Sequence, residues 1–118
     1  MKIFVQIASY RDPQLVLTLK SMLENAKRPK NLVFSIARQY HEDDGFDNLD
    51  EWRKDKRFKI LDIPYTDSKG VCWARNLTQQ LYNGEEYTLQ IDSHMRTVKD
   101  WDDILIKMVK GLQKDGYP

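Results

Sequence analysis

Apolar residues recur along the chain at two periods, and their order predicts its architecture. Ile3 to Ala8 and Leu32 to Ala37 are nearly unbroken apolar runs rich in β-branched residues, the pattern of strands covered on both faces. Between them Leu15, Leu19, Met22 and Leu23 recur at helical spacing. Asp12 offers that helix a capping acceptor and Pro13 fits its first position, while Asn25 and Arg28-Pro29-Lys30 end the period. Gln39 to Asp50, centred on Asp43-Asp44-Gly45, predicts a loop, followed by one short helix near Leu49 to Lys54. Phe58 to Ile63 mixes apolar and polar positions and stops at Pro64, which has no N–H for a ladder, so a third strand near an edge is expected. Asp67-Ser68-Lys69-Gly70 then supplies capping side chains before a second helix, whose Val71, Ala74, Leu77 and Leu81 share a face and which Asn83-Gly84 ends. Tyr87 to Ile91 predicts a fourth strand. Trp101, Ile104, Leu105, Met108, Val109 and Leu112 keep helical spacing up to Gly116 and predict an amphipathic closing helix.

This alternation of strands and helices implies an α/β fold with a parallel sheet covered by helices. Ligands of such sheets gather beyond the carboxyl ends of the strands. Three polar groups fall at that edge: Ser9-Tyr10-Arg11, Arg38-Gln39 and Asp92-Ser93-His94. Asp92 and His94 stand at alternate positions, so on extended backbone their side chains share a face and suit one ion. Mixed oxygen and nitrogen donors accept Mn²⁺ or Mg²⁺, which would bridge diphosphate oxygens; the same tripeptide also fits a plain polar strand end. Gly70 permits close backbone approach, and Arg75, just over a turn further, can turn its donor fork to a phosphate, a nucleobase carbonyl or solvent. Cys72 reads as a small structural cysteine, and His41-Glu42-Asp43-Asp44, without calcium-loop spacing, as a solvated acidic loop.

The length of 118 residues fits a single domain over 1–118. Nineteen basic and eighteen acidic residues leave a net charge of +1, so no overall field draws the chain to nucleic acid or an anionic membrane, and phosphate binding has to be local. Ile3 to Ala8 is too short for a signal peptide or a membrane span, and Cys72 is the only cysteine, so the expected location is the cytoplasm. Asn76-Leu77-Thr78 spells a glycosylation acceptor inside a predicted helix and reads as accidental. No G-x-G-x-x-G, P-loop, G-x-S-x-G or H-E-x-x-H occurs, which weakens dehydrogenase, NTPase, serine hydrolase and zinc protease readings.

Three blocks carry a resemblance: Ile7-Ala8-Ser9-Tyr10-Arg11-Asp12-Pro13, Lys69-Gly70-Val71-Cys72-Trp73-Ala74-Arg75, and Gly84 to Arg96 with Gln90-Ile91-Asp92-Ser93-His94-Met95-Arg96 as its most diagnostic part. In this order they resemble the polypeptide N-acetylglucosaminyltransferase family that glycosylates hydroxyproline on a cytoplasmic ubiquitin-ligase subunit. Asp92-Ser93-His94 is also similar to the metal motif of the mucin-type N-acetylgalactosaminyltransferases. The resemblance implies a GT-A fold, a Rossmann-like, mostly parallel nucleotide-diphospho-sugar transferase sheet flanked by helices, here as the donor-binding half without the C-terminal acceptor half. It implies UDP-GlcNAc as donor, a divalent cation held by Asp92 and His94, Mn²⁺ before Mg²⁺, and transfer with retention to a hydroxyl of a protein or peptide. Ala8, Ser9, Tyr10 and Arg11 would surround the uridine and Arg75 would face uracil or phosphate; Gln39, Gly70, Asp92 and Ser93 complete the expected donor-binding set. Val71 stands where the family usually has proline, and Thr97 where an aromatic follows the motif. Two alternatives share the alternating pattern. One is a non-catalytic module of the same fold that binds a nucleotide sugar or a protein; the other is a flavodoxin-like or response-regulator domain, which calls for an acidic pocket after the first strand.

Overall fold

The computed structural model describes residues 2–114 and contains a four-stranded, wholly parallel sheet in the order β3-β2-β1-β4. Its strands are β1 (Ile3–Tyr10), β2 (Leu32–Tyr40), β3 (Phe58–Pro64) and β4 (Tyr87–Asp92). Helix α1 (Leu15–Asn25) joins β1 to β2, α2 (Val71–Gln79) joins β3 to β4, and α3 (Trp101–Lys114) follows β4. The α/β class and the edge position of β3 agree with the sequence.

Strand alternation sorts β1 between two covers of different chemistry. Ile3, Val5 and Ile7 meet Leu15, Leu19 and Met22 of α1 in the main core. Leu15, Leu19 and Met22 are fully buried, each stabilising the fold by about 1.5–3 kcal/mol through area removed from water. Gln6 turns to the other face, where its Nε2 donates to Gln79 Oε1 at 2.9 Å and its Oε1 accepts from Thr78 Oγ1 at 3.2 Å. Ser35 on β2 donates to the Thr78 carbonyl at 3.0 Å. The layer under α2 is therefore polar and hydrogen-bonded, and this corrects the expected face of that helix. Ala74 and Thr78 point inward, while Val71 is 54% exposed, because a hydroxyl satisfies the buried glutamine and a valine cannot.

Between β2 and β3 the short-helix expectation holds as a 3₁₀ turn, Asp50–Trp52. Leu49 and Trp52 cover that end of the sheet, with Phe58 stacked on Phe34 at 4.6 Å between ring centroids. The strands outrun their apolar runs: ladder pairing continues through Ser9↔Arg38 and Tyr10↔Gln39. Helix α1 begins at Leu15, later than Pro13, because Asp12 Oδ1 accepts the Gln14 N–H at 2.8 Å and closes a turn first. Helix α3 is half covered. Trp101 is buried and donates Nε1–H to the Met22 carbonyl at 2.9 Å, whereas Ile104, Met108 and Leu112 are exposed. Gly116, the expected helix stop, lies outside the described residues. No helix among the described residues is long and apolar enough to cross a membrane.

Chain order reverses direction across β1: β2 and β3 are added on one side of it and β4 on the other. A crevice forms at such a reversal, at the carboxyl ends of β1 and β4.

Candidate functional site

Ala8 pairs with Asp92 across β1 and β4, so the residues that follow the two strands meet at the crevice. Asp92 is the last residue of β4 and is exposed. Arg75 Nη2 lies 3.5 Å from its Oδ1, and His94 Nε2 lies 4.0 Å from its Oδ2. The two expected metal ligands and the expected phosphate-binding arginine thus converge. The other imidazole nitrogen, Nδ1, is 3.3 Å from Asp12 Oδ2. That oxygen also accepts from Ser93 Oγ at 2.5 Å, and Oδ1 carries the Gln14 amide bond. Burial pushes the Asp12 carboxyl up, but the bonds from Ser93, Gln14 and His94 outweigh it and hold Asp12 below the usual carboxylate range. Ser93 is buried, with its hydroxyl directed inward to Asp12.

A polar stripe fixes the segment that carries His94. Thr18 Oγ1 donates to the Ser93 carbonyl at 2.8 Å and accepts the Met95 N–H at 3.0 Å. Ser21 Oγ accepts the Thr97 N–H at 3.0 Å, and Asn25 Nδ2 donates to the Thr97 carbonyl at 3.0 Å. In the turn before the helix, Gln14 Oε1 accepts from Arg96 at 2.6 Å. Gln14, Thr18, Ser21 and Asn25 follow helical spacing, so α1 grips the sheet with its apolar face and the site segment with its polar one.

Ala8, Tyr10, Gln39 and Gly70 line one open cavity of about 250 Å³ together with Ser68 and Val71. Ala8 both lines it and pairs with Asp92, which makes the cavity and the Asp92–His94 group neighbours. Gln39 is locked in place: its Nε2 donates to the Ser9 carbonyl at 3.1 Å, and its Oε1 accepts a short bond from Ser68 Oγ. Gly70 takes φ +100° and opens α2, whose first N–H groups have no side-chain cap and so remain available to an anion.

The remaining expected residues sit differently. Ser9 faces the opposite side of the sheet, fully buried, with no partner for its hydroxyl among the described residues. Arg11 adopts φ 46° at the end of β1 and pairs with Asp44 at 2.7 Å. Asp44 thereby departs from the solvated acidic loop expected over 41–44: it is drawn in to 12% exposure, while Asp43 stays exposed. Cys72 is exposed in the first turn of α2, not packed as a structural cysteine. Asp12 was legible only as a helix cap; its link to His94 follows from the adjacency of β1 and β4, which local sequence does not encode.

Asp92 and His94 offer one oxygen and one nitrogen, a donor pair suited to Mn²⁺ or Mg²⁺. No group of three or more His, Cys, Asp or Glu side chains that could hold an ion occurs among the described residues. Two protein ligands fit an ion that shares its coordination with a nucleotide's phosphates and water.

A family model described as Glycosyltransferase (GlcNAc) matches residues 2–55 and 45–116. The crystal structure of S. aureus TarS 1-349 in complex with UDP-GlcNAc superposes with TM-score 0.72 and 21% identity, over 97% of this chain and 32% of that one. The crystal structure of S. aureus TarS 1-349 gives 0.69 and 19% over 97% and 33%, and that of S. aureus TarS gives 0.74 and 16% over 96% and 20%. No curated protein matches the chain in sequence. The chain spans about a third or less of the structures it matches, and at these identities the likeness establishes the fold.

Proposed function

The chain belongs to the glycosyltransferase (GlcNAc) family, and from that premise we propose that it binds a UDP-sugar, UDP-GlcNAc foremost, in the crevice between β1 and β4 and transfers the sugar to a hydroxyl acceptor. The observation that carries the reading is the convergence of Arg75, Asp92 and His94 beside the cavity of about 250 Å³. That the same fold in TarS 1-349 is solved in complex with UDP-GlcNAc supports the choice of donor.

In this reading the nucleoside occupies the cavity, against the small Ala8 and the half-exposed Tyr10 ring, with Gln39 and Gly70 forming its walls. The diphosphate runs from there past Ala8 towards Asp92. Arg75 holds Asp92 only loosely, at 3.5 Å, so its guanidinium is free to turn its donors to phosphate oxygens, helped by the open N–H groups of α2. Asp92 and His94 would hold the divalent cation, Mn²⁺ before Mg²⁺. Bound there, it would neutralise charge on the departing UDP. Groups already placed where charge develops supply the main catalytic effect, because they need no rearrangement as the sugar bond breaks. Arg75 and the α2 N-terminus stand on regular elements, and His94 stands on a segment pinned by α1, which meets that requirement.

The finer reading is retaining transfer to a protein or peptide hydroxyl, with hydroxyproline as the acceptor to try first; its support is the three-block resemblance over Ile7–Pro13, Lys69–Arg75 and Gly84–Arg96. A cytoplasmic setting suits the lone, exposed Cys72. A donor-binding module without transfer is the second reading, resting on the same cavity and Asp92–His94 group, which address the donor alone. Incubation with UDP-GlcNAc, Mn²⁺ and a hydroxyproline peptide, followed by chromatography of released UDP, separates the two. Peptide-dependent UDP release is expected; saturable donor binding without release assigns the module, and no binding at millimolar donor contradicts both.

A further inference from the structure

We propose that Asp12 is a positioning residue for His94, accepting the hydrogen bond of its Nδ1–H and so presenting a bare Nε2 towards Asp92. The inference rests on reading Asp92 and His94 as ion ligands. Two carboxylates lie on opposite sides of one imidazole: Asp12 Oδ2 is 3.3 Å from Nδ1, and Asp92 Oδ2 is 4.0 Å from Nε2. His94 is 64% exposed, and the Asp12 contact is the hydrogen bond its ring makes among the described residues. A ring so exposed and without that contact would sample both tautomers, and only the Nδ1–H form leaves a lone pair on Nε2.

Asp12 is itself held. Its side chain is 15% exposed, the Gln14 N–H binds Oδ1, and Ser93 Oγ binds Oδ2. Its duty as a turn acceptor uses Oδ1 alone and leaves Oδ2 to Ser93 and the imidazole. A carboxylate behind a ligating histidine orients the ring and strengthens it as a donor, and losing such a partner typically weakens metal binding by about 10–100-fold. Asparagine at this position would keep an oxygen for the Gln14 amide but place an NH₂ group where Oδ2 accepts. The imidazole would then accept at Nδ1, its proton would move to Nε2, and the nitrogen facing Asp92 would carry a hydrogen.

The test compares the full 118-residue chain with Asp12→Asn, using Mn²⁺ alone as probe. Free Mn²⁺ is read by electron paramagnetic resonance. The tautomer is read from ¹⁵N chemical shifts of the metal-free protein, followed to alkaline pH until they no longer change. Expected are the Nδ1–H tautomer at His94 in the wild type, the Nε2–H tautomer in Asp12→Asn, and Mn²⁺ affinity lower by about 10–100-fold in the variant at an unchanged fold by circular dichroism. Equal Mn²⁺ affinity in the two proteins, or a wild-type His94 that is mainly Nε2–H, overturns the proposal. Should Asp12→Asn not fold, the wild-type tautomer decides alone. A wild type that takes up no Mn²⁺ overturns the ion reading instead, and the ¹⁵N shifts still decide whether Asp12 orients the ring.

Discussion

Replacing Gly70 by alanine isolates what the backbone contributes to the crevice. Gly70 sits at φ +100° and ψ 173° immediately before α2, and a Cβ built on it meets no atom within 4 Å. Side-chain clash therefore drops out, and the cost is conformational. An L residue forced into this glycine region costs about 1–3 kcal/mol. Against a typical domain stability of about 5–15 kcal/mol the variant stays folded, with Tm lower by roughly 4 °C per kcal/mol. D-alanine adds a methyl on the other side of Cα but favours this backbone, and ligation at Cys72 admits it. Urea denaturation is expected to show the loss for L-alanine, and for D-alanine no loss or a gain of about 0.4–1 kcal/mol from a less free unfolded chain. UDP affinity should follow the same order, since the start of α2 moves with Gly70. Equal losses for both enantiomers would refute the reasoning and transfer the effect to the methyl itself.

Asp47 is fully buried, neither of its carboxylate oxygens has a hydrogen-bond partner among the described residues, and Arg38 approaches only to 3.8 Å. Burial raises its pKa, so it subtracts stability as pH rises from the unfolded value near about 4 through the folded one. Asp47→Asn should therefore stabilise the chain at neutral pH by roughly 1 kcal/mol in urea denaturation and do nothing in strong acid; a loss at neutral pH would count against it. Asp62 behaves oppositely: burial pushes it up, but bonds from Arg53 at 2.7 Å and 3.0 Å and from Arg38 at 2.5 Å prevail and lower it. Its stabilisation is fully present above about pH 4 and is lost as pH falls through the lowered value, so Asp62→Asn should flatten the acid limb of a stability profile. Arg75→Ala should weaken UDP binding about tenfold or more by calorimetry while leaving uridine affinity unchanged, because the guanidinium addresses phosphate; an equal loss for uridine would place Arg75 at the base.

Where burial alone decides, the sequence was readable. Ile3–Ala8 and Leu32–Ala37 announce β1 and β2 because both strands are covered on both faces, and Pro64 announces an edge because β3 pairs on one side only. Where polar groups satisfy one another over distance, it was not. Thr78 faces inward because Gln6 accepts its hydroxyl across 72 positions, and Asp12 meets His94 across 82. Strand ends extend through Ser9-Tyr10 and Arg38-Gln39-Tyr40, outside the apolar runs, since the ladder and not an apolar side chain keeps them extended. The Gln14, Thr18, Ser21 and Asn25 stripe looks like a solvated helix face until the segment after β4 folds onto it. The crevice itself was legible because strand-end position is a property of topology, and topology follows the alternation of elements.

Calorimetric titration of UDP with and without Mn²⁺, in the wild type and in Asp92→Asn, bears most directly on the claim that Asp92 and His94 share an ion with a nucleotide. Wild-type affinity should tighten with Mn²⁺, and the tightening should vanish in Asp92→Asn while metal-free UDP binding persists. A wild type indifferent to Mn²⁺, or an enhancement that survives both Asp92→Asn and His94→Gln, would contradict it.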